Sequence, residues 1–434
     1  MNSQSATPTA PGNPASAGSP GPRSVRRILV RGVNWLGDAV MTTPALLRLR
    51  EHFLEAHITL LTPAKLKDLW SHHRAINEII AFGPDDTLWE IARKIRVHSH
   101  SFGQGKEDPA ELGTGALAAD SPSIGSVRGQ VLSHAGSSFD LALVLPNSPR
   151  SALEVWLAGI PRRVGFARPW RNWFLTQAVP ARPGHTRMRK RSVAEIKRLI
   201  DSRNEPPQPP AFTPQVPSAH QLYDYLHLVA ALGANPEPLP PHLTVTPEDI
   251  DKAVRKFNLT GAAPSDRLLL AVSPGAEYGP AKRWPVERFI AATREIHKRT
   301  KCFWLILGST GDVEVAGRIE FGLRTLDSEL RNLAGQTSLR ELCALLKCCR
   351  VLLTNDTGPM HLAAALGTPV VVPFGSTSPE LTGPGLPGDP RPRLLKSEAL
   401  CSPCFRRECP IDFRCMNGIG VDRVVDAVVG ALKR

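Results

Sequence analysis

The sequence predicts an α/β protein made of two Rossmann-like, doubly wound domains that face each other across a cleft. Near the N-terminus a strand, a loop, a helix and a second strand follow one another, and the same alternation restarts in the second half of the chain. In both halves polar, glycine-containing motifs follow the strands, where parallel sheets bind ligands. The 434 residues are enough for two such domains, each with its own core.

In the first half, an apolar run over residues 26–31 predicts the first strand, and the loop at 32–38 leads into a helix. Further strands are predicted at residues 57–61 and 139–145. Residues 99–138 are rich in Gly, Ser, Ala and His, which predicts a low-complexity surface insertion.

Residues 187–218 are first basic and then rich in proline, which predicts an extended loop or lid. A helix is expected over residues 223–232, and a Pro-rich linker follows it. We therefore place an N-terminal domain at residues 26–240 and a C-terminal domain at residues 241–434.

The second half repeats the alternation of strands and helices. Strands are predicted at residues 268–272, 303–307, 351–354 and 369–372, and helices at 286–299, 314–322 and 339–346.

Composition limits the function classes. Residues 1–25 contain few bulky apolar side chains, which predicts a disordered tail. The chain carries 53 Lys and Arg against 40 Asp and Glu, a net charge of +13, which favours an acidic partner: nucleic acid, an anionic membrane surface or a phosphorylated substrate. With neither a spanning apolar segment nor a secretory signal in the sequence, we expect a cytoplasmic protein.

The most informative motif follows the predicted strand at residues 351–354. There the sequence Asn-Asp-Thr-Gly-Pro-Met-His begins a helix of small residues. The N–H groups of Gly358, Met360 and His361 are expected to bind a phosphate at the helix N-terminus, with the His361 side chain as a further donor. Asp356 is better suited to sugar hydroxyls. These residues predict a nucleotide-sugar site, although helix capping is the simpler alternative.

Two other loops carry chemistry. Asp38 begins the helix after the first strand, where its carboxylate could act as a general base or simply cap the helix. In the loop at residues 273–285, Ser273 offers a hydroxyl and Lys282 a cation for a diphosphate leaving group, although Lys282 could be an ordinary surface residue. Gly308 and Ser309 follow another strand, where they could line a nucleoside pocket.

Together these motifs resemble the bacterial lipopolysaccharide heptosyltransferases of glycosyltransferase family 9, most closely the heptosyltransferase II type. The resemblance extends from Ile28 to the C-terminus, apart from the two insertions. It rests on Val-Asn-Trp-Leu-Gly-Asp at 33–38, Leu-Pro-Asn-Ser at 145–148, Gly-Ile-Pro-Arg-Arg-Val-Gly at 159–165, the Ser-Pro-Gly loop at 273–285 and Asn-Asp-Thr-Gly-Pro-Met-His at 355–361.

The resemblance implies a GT-B fold and transfer of heptose, with inversion, from ADP-heptose to the first heptose of the lipopolysaccharide inner core. Asp38 matches the family's catalytic base and Lys282 its diphosphate-binding lysine. No cofactor is expected to be required, although Mg²⁺ could assist. The expected donor-binding residues are Ser273, Lys282, Gly308, Ser309, Asp356, Thr357, Gly358 and His361.

For the acceptor, lipid A-Kdo-heptose, we expect polar and basic residues after the strand ends of the N-terminal domain. The run at residues 168–174 mixes arginines with aromatic residues, which would attract phosphorylated headgroups and touch the membrane interface. The alternative is a solvated loop whose tryptophans pack on the core. The expected acceptor-binding residues are Asn147, Ser148, Arg150, Arg162 and Arg163.

Four cysteines are close together at Cys401, Cys404, Cys409 and Cys415. A structural Zn²⁺ ion, reduced thiols and a redox-sensitive staple are all compatible with this spacing, and no catalytic role is expected.

The resulting hypothesis is a cytoplasmic transferase that is peripheral on the inner membrane and does not bind nucleic acid. Within enzymes, alternatives are another family 9 transferase that adds heptose to Kdo, or a different GT-B nucleotide-sugar enzyme such as a non-hydrolysing epimerase. A zinc-containing nucleic-acid binder is a distant alternative, since the sequence has no recognition helix or aromatic RNA-binding signature.

Overall fold

The computed structural model describes residues 25–100, 139–201, 219–259 and 268–433. Within these ranges the chain forms two lobes, each built on one parallel six-stranded sheet with helices on its faces. The expected tail lies almost entirely outside the described residues, as do most of the insertion predicted at 99–138 and the Pro-rich part of the segment predicted at 187–218.

In the N-terminal lobe the strands lie in the order β3-β2-β1-β4-β5-β6. The strands are β1 (Arg27–Arg31), β2 (His57–Pro63), β3 (Glu78–Phe82), β4 (Leu141–Val144), β5 (Arg162–Phe166) and β6 (Gln177–Val179). The helices are α1 (Leu36–His52), α2 (Leu88–His100), α3 (Pro149–Leu157), α4 (Val193–Asp201) and α5 (Leu222–Ala230).

The C-terminal lobe has the order β12-β11-β10-β7-β8-β9, which is the same strand arrangement. Its strands are β7 (Leu269–Ser273), β8 (Phe303–Ile306), β9 (Leu330–Asn332), β10 (Val351–Thr354), β11 (Val370–Phe374) and β12 (Arg393–Lys396). Its helices are α6 (Pro247–Lys256), α7 (Val286–Thr300), α8 (Val313–Gly322), α9 (Leu339–Cys348), α10 (Gly358–Ala365), α11 (Pro379–Thr382), α12 (Arg414–Asn417) and α13 (Val421–Leu432).

This topology determines where a ligand binds. In each sheet the strand order reverses between the first and fourth strands of the lobe, at β1 and β4 and again at β7 and β10. A crevice therefore opens beyond the carboxyl ends of these strands, at the topological switch point. The loops that leave β1, β7 and β10 contain the motifs identified in the sequence.

The two lobes share a continuous hydrophobic core. Apolar side chains of α1 and α5 belong to the same buried cluster as those of α9 and α10. Strands β4, β7 and β10 are buried over their whole length and apolar except for Ser273 and Thr354 at the ends of β7 and β10, as expected for parallel sheets covered by helices. None of the helices in the described ranges is both long and apolar enough to cross a membrane.

One prediction about local structure was wrong. Residues 187–218 were expected to be loop throughout, but α4 occupies Val193–Asp201. This helix alternates charged and apolar residues with helical spacing, and Ile196 is buried against Cys401 and Cys404 of the C-terminal lobe. Packing of this apolar face accounts for a helix in a region whose composition suggested a loop.

Candidate active site

A cavity of about 750 Å³ lies between the lobes, at the carboxyl ends of β1, β7 and β10. Its lining contains the predicted base and every predicted donor-binding residue. These are Asp38, Ser273, Lys282, Gly308, Ser309, Asp356, Thr357, Gly358 and His361. Residues more than 300 positions apart in the chain are thereby brought to one site.

Two glycines allow the lobes to approach each other at this cavity. A Cβ atom on Gly37 would lie 2.7 Å from Cδ2 of His361, and one on Gly358 would lie 2.6 Å from Cδ2 of Leu36. Real Cβ atoms do not approach other heavy atoms this closely. The N-termini of α1 and α10 therefore meet only because both positions lack a side chain.

The loop before Asp38 is anchored by a buried ion pair. Nε of Arg31 lies 2.7 Å from a carboxylate oxygen of Glu154, and both side chains are almost fully buried. Nη1 of Arg31 also donates to Oδ1 of Asn34 at 3.1 Å. These contacts join the end of β1 to α3 and fix the loop that leads into the first turn of α1.

Asp38 is in the first turn of α1, and its partly buried side chain lines the cavity. Burial raises the pKa of Asp38 to about 6, against a lowering by the side-chain hydrogen bond from Gln221 and the positive charge of Lys282. Nε2 of Gln221 donates to Oδ1 of Asp38 at 3.4 Å and to the hydroxyl of Tyr225 at 2.8 Å. A carboxyl group with this pKa is suited to accept a proton near neutral pH.

On the opposite wall, Asp356 and Lys282 form an ion pair. Nζ of Lys282 lies 2.7 Å from Oδ2 of Asp356, and the same oxygen accepts from Oγ1 of Thr377 at 2.6 Å. Lys282 is thus held at a fixed position facing the cavity. The sequence indicated the lysine and the aspartate separately, but their pairing and the contribution of Thr377 were not predicted.

His361 is buried where α10 meets α1. Burial lowers the pKa of His361 to about 4, so the imidazole is neutral at physiological pH. A neutral ring can still donate one hydrogen bond. One predicted donor nearby was wrong: the N–H of Met360 donates to the carbonyl of Thr357 at 3.1 Å, so it is used within the helix turn.

Asn355, in the same motif, has a structural role that sequence reasoning missed. Its Nδ2 donates to the carbonyl of Pro274 at 2.6 Å, and its Oδ1 accepts from the N–H of Trp284 at 2.9 Å. The side chain is fully buried. It therefore ties the loop carrying Lys282 to the end of β10.

The ring of Tyr278 contacts two cationic side chains on this side of the cavity. Nζ of Lys282 and the guanidinium of Arg407 lie 4.9 and 5.2 Å from the centre of its ring. The hydroxyl of Tyr278 donates to the carbonyl of Phe405 at 3.0 Å. Arg407 was not predicted, because it lies within the cysteine-rich segment at residues 401–415, for which no ligand-binding role was expected.

A segment of the N-terminal half also reaches the cavity. Residues 187–191, here called the strap, contribute Met188 and Lys190 to the lining. The N–H of Arg191 donates to the carbonyl of Cys404 at 3.0 Å, and its own carbonyl accepts from Arg406 at 3.0 Å. The strap, which lies in the segment predicted as an extended loop or lid, is therefore hydrogen-bonded to the C-terminal lobe.

The sequence model of glycosyltransferase family 9 (heptosyltransferase) matches residues 133–413, which is well over half of the chain. The chain belongs to glycosyltransferase family 9.

Curated relatives agree with this membership. The family 9 chain is 29% identical over 362 residues to lipopolysaccharide heptosyltransferase 2 of Escherichia coli, covering 82% of this chain and 85% of the relative. It is 30% identical over 365 residues to lipopolysaccharide heptosyltransferase 2 of Salmonella typhimurium, with the same coverage. The protein is therefore a glycosyltransferase.

Solved structures establish the fold. The structure of E. coli ADP-heptose lps heptosyltransferase II superposes with a TM-score of 0.67 at 23% identity, covering 94% of this chain and 98% of that chain. E. coli heptosyltransferase WaaC with ADP gives a TM-score of 0.58 at 16% identity, covering 93% and 99%. The glycosyltransferase thus has the GT-B fold predicted from its sequence.

The predicted acceptor residues of this glycosyltransferase do not line the cavity. Arg162 and Arg163 were placed after a strand end, but they begin β5 and lie at its amino end, away from the cleft. Arg163 donates to the carbonyls of Ile160 and Phe174 and Arg162 to Gln177, so both support the sheet edge locally. The error came from missing β5, whose first two residues are charged.

The other three acceptor candidates follow β4, at the expected edge. Ser148 caps α3 by accepting from the N–H of Ser151 at 3.2 Å, and Arg150 donates to the carbonyl of Asp86 at 2.8 Å. Asn147 lies near the guanidinium of Arg171. These side chains are engaged with the N-terminal lobe, and an acceptor role for them stays a prediction.

The alternative that the tryptophans of residues 168–174 pack on the core is contradicted. Trp170 and Trp173 are 75% and 79% exposed. Between them, Arg171 is buried, and Nη1 donates to the carbonyl of Pro146 at 2.8 Å. The arginine, rather than the tryptophans, anchors this turn to the lobe.

The four clustered cysteines are free thiols, and Cys401, Cys404 and Cys415 are buried. Burial raises the pKa of Cys415 to about 12, so this thiol stays protonated. No group of three or more His, Cys, Asp or Glu side chains in the described ranges is arranged to hold a metal ion. The geometry thus gives the predicted zinc site no support. The main chain of this segment instead accepts hydrogen bonds from the strap, at Cys404, and from Tyr278, at Phe405.

Proposed function

We propose that the protein transfers L-glycero-D-manno-heptose from ADP-heptose to the first heptose of the lipopolysaccharide inner core, with inversion at the anomeric carbon. The observation that carries the proposal is the placement of Asp38 on one lobe across a single cavity from the Lys282–Asp356 pair on the other. The names of the relatives, heptosyltransferase 2 in several bacteria, support the choice of donor and acceptor.

The reaction requires a base and a site for the leaving group. In the proposed mechanism the Asp38 carboxylate takes the proton of the acceptor hydroxyl, whose oxygen attacks the anomeric carbon of the donor. The bond from that carbon to the diphosphate oxygen breaks, and ADP departs with the electron pair. Attack on the face opposite to ADP accounts for inversion.

The donor is proposed to bind with its diphosphate at Lys282 and at the N-terminus of α10, near Gly358. Both supply positive potential where negative charge grows on departing ADP. The neutral imidazole of His361 and the hydroxyl of Thr357 are proposed to donate hydrogen bonds. No cofactor is proposed to be required, although Mg²⁺ bound to the diphosphate could assist.

The acceptor is proposed to be lipid A-Kdo-heptose, which is anchored in a membrane. The enzyme is accordingly proposed to be cytoplasmic and to act peripherally at the cytoplasmic face of the inner membrane. Its basic charge balance supports attraction to that anionic surface. Nucleic acid is not a proposed partner.

A transfer assay with purified protein and ADP-heptose tests this proposal. We expect product with a heptosyl-Kdo acceptor and little with an acceptor that ends in Kdo, which separates the two family 9 alternatives. Asp38→Asn should reduce kcat by on the order of 10² or more while ADP binding is retained. Near-normal turnover of this variant, or transfer only to Kdo, would contradict the assignment.

A further inference from the structure

A basic stretch of the N-terminal lobe lies outside the active site, except for Met188 and Lys190 of the strap, which line the cavity. Residues 155–194 contain nine Lys and Arg residues and no Asp or Glu. The same stretch contains three tryptophans, Trp156, Trp170 and Trp173. Positive charge and large aromatic side chains together match an anionic, partly apolar surface.

The tryptophans project from the protein. Trp170 and Trp173 are 75% and 79% exposed, and their ring centroids are 6.2 Å apart in an edge-to-face arrangement. Trp156 is 46% exposed and contacts Phe174 with ring centroids 5.8 Å apart. Exposure of two neighbouring indoles costs free energy in water unless another apolar phase covers them.

The backbone holds these side chains outward. Oδ1 of Asn172 accepts from the N–H of Arg168 at 2.9 Å, which closes the turn. Trp170 has a φ of 64°, a left-handed conformation that is unfavourable for a bulky residue. Together with the buried Arg171, these features form a rigid turn with an aromatic tip, called the tryptophan turn below and comprising residues 168–174.

The tryptophan turn lies at the edge of the sheet that contains the cleft. It leaves the carboxyl end of β5, which is separated from β1 only by β4. Neighbouring strands are about 4.8 Å apart, so β5 lies roughly 10 Å from the strand that leads to Asp38. The start of the tryptophan turn, at Arg168, is therefore on the cleft side of the sheet, whereas its end, at Phe174, returns toward the amino end of β5, where Nε of Arg163 donates to its carbonyl at 2.7 Å.

We infer that the tryptophan turn docks the enzyme on an anionic lipid bilayer, with Trp170 and Trp173 in the headgroup region and the partly exposed Arg168 on acidic headgroups. This inference deepens the proposed function and rests on it for the lipid-anchored acceptor. Two indoles are far smaller than the roughly 800 Å² per partner of a stable dimer interface, which argues against a second copy of the chain. Amphipathic indole rings suit the membrane interface.

Flotation with vesicles tests the inference. The full-length protein should bind vesicles of phosphatidylcholine and phosphatidylglycerol, and bind phosphatidylcholine alone weakly. W170A/W173A should lower partition into the anionic vesicles by about tenfold or more, since two interfacial rings are lost. W170F/W173F should restore part of the binding. The control is Phe321→Ala, which removes a 69% exposed aromatic residue of the other lobe beside Arg324.

Kinetic measurements separate docking from catalysis. W170A/W173A should reduce turnover of acceptor embedded in anionic vesicles, while turnover of a water-soluble, delipidated acceptor stays within about twofold of wild type. If the wild-type enzyme lacks transfer activity but the vesicle results hold, the proposed function fails and the docking surface stands. Equal vesicle binding by wild type and W170A/W173A would overturn the inference.

Two other outcomes would also overturn it. A change from dimer to monomer in W170A/W173A, without a change in vesicle binding, would assign the surface to self-association. Salt-sensitive RNA binding that depends on the two tryptophans, with no vesicle binding by wild type, would assign it to nucleic acid. Because both side chains are exposed, the thermal midpoint of the variant should match wild type, and circular dichroism checks that it folds.

Discussion

At the scale of single residues, Asp38 combines catalytic suitability with a cost in stability. Its folded-state pKa of about 6 lies above the ordinary value of 3.8 because burial disfavours the charged carboxylate. The native state therefore binds more protons than the unfolded state between these values, and stability falls as pH rises through them. The destabilisation is complete above the folded pKa.

Asp38→Asn should consequently stabilise the protein as it removes activity. At about pH 8 we expect a gain on the order of 1–3 kcal/mol, shrinking to about half at about pH 5. Denaturant unfolding of the wild type and of Asp38→Asn at the two pH values measures this difference in the free energy of unfolding. Equal stability at the higher pH would mean that the carboxylate is solvated rather than buried.

Gln221 provides a second prediction at this scale. Its hydrogen bond lowers the pKa of Asp38, so Gln221→Leu should move the acidic limb of the kcat/KM profile to higher pH, by up to about one pH unit. Wild-type activity should itself decline below about pH 6, as the base becomes protonated. Gln336→Leu, an exposed glutamine of the other lobe, is the control and should leave the profile in place. If the acidic limb of the kcat/KM profile does not move in Gln221→Leu, the hydrogen bond from Gln221 does not lower the pKa of Asp38.

At the scale of secondary-structure elements, the central strands and the helices after β1, β7 and β10 were predicted, whereas α3 and the strands at or beside the sheet edges were mostly missed. Strands β1, β4, β7 and β10 each contain a run of at least three apolar residues because both faces are buried. Strands β6, β9 and β12 are short or carry charged residues, because an edge position leaves part of each strand in water. Strand β5 lies beside the edge strand β6 and begins with two arginines, one of them exposed. Because β5 was not predicted from the sequence, Arg162 and Arg163 were expected after a strand end rather than at the start of a strand.

The contact between α1 and α10 allows a test of element packing. Gly37→Ala would place a methyl group 2.7 Å from Cδ2 of His361, so we expect the helix ends to separate and kcat/KM to fall by about tenfold or more. Gly317→Ala in α8 is the matched control, since a methyl group there meets nothing within 4 Å. It should retain activity and gain about 0.5–1 kcal/mol of stability from helix propensity. Full activity of Gly37→Ala would show that catalysis does not require the close approach of the N-termini of α1 and α10.

At the scale of the whole molecule, the cleft is lined by loops of two lobes that lie far apart in the sequence. The motifs on each side were predictable from residue order, because parallel sheets place their functional loops at one edge. The partners that complete the site, such as Gln221 and Thr377 beside the two aspartates, were not, because no local pattern records which distant loops meet.

Binding of ADP should therefore raise the thermal midpoint, by an amount equivalent to about 2.7 kcal/mol when ADP is at about 100 times its Kd. Lys282→Ala should reduce this shift markedly, because it removes a cation held at the proposed diphosphate site. Lys256→Ala removes an ion-paired lysine on the outer surface of the same lobe and should keep the shift. Differential scanning calorimetry with and without ADP measures both, and an unchanged shift in Lys282→Ala would exclude the lysine from that site.

The meeting of α1 and α10 has an electrostatic consequence. Each helix N-terminus carries roughly half a positive elementary charge, so the two contribute about one charge unit that arises from peptide groups alone. This contribution does not titrate, and no side-chain substitution abolishes it. A glycosyltransferase stripped of its cationic side chains at the cleft should still attract an anionic nucleotide weakly, and that residual affinity should persist across the pH range in which the fold survives.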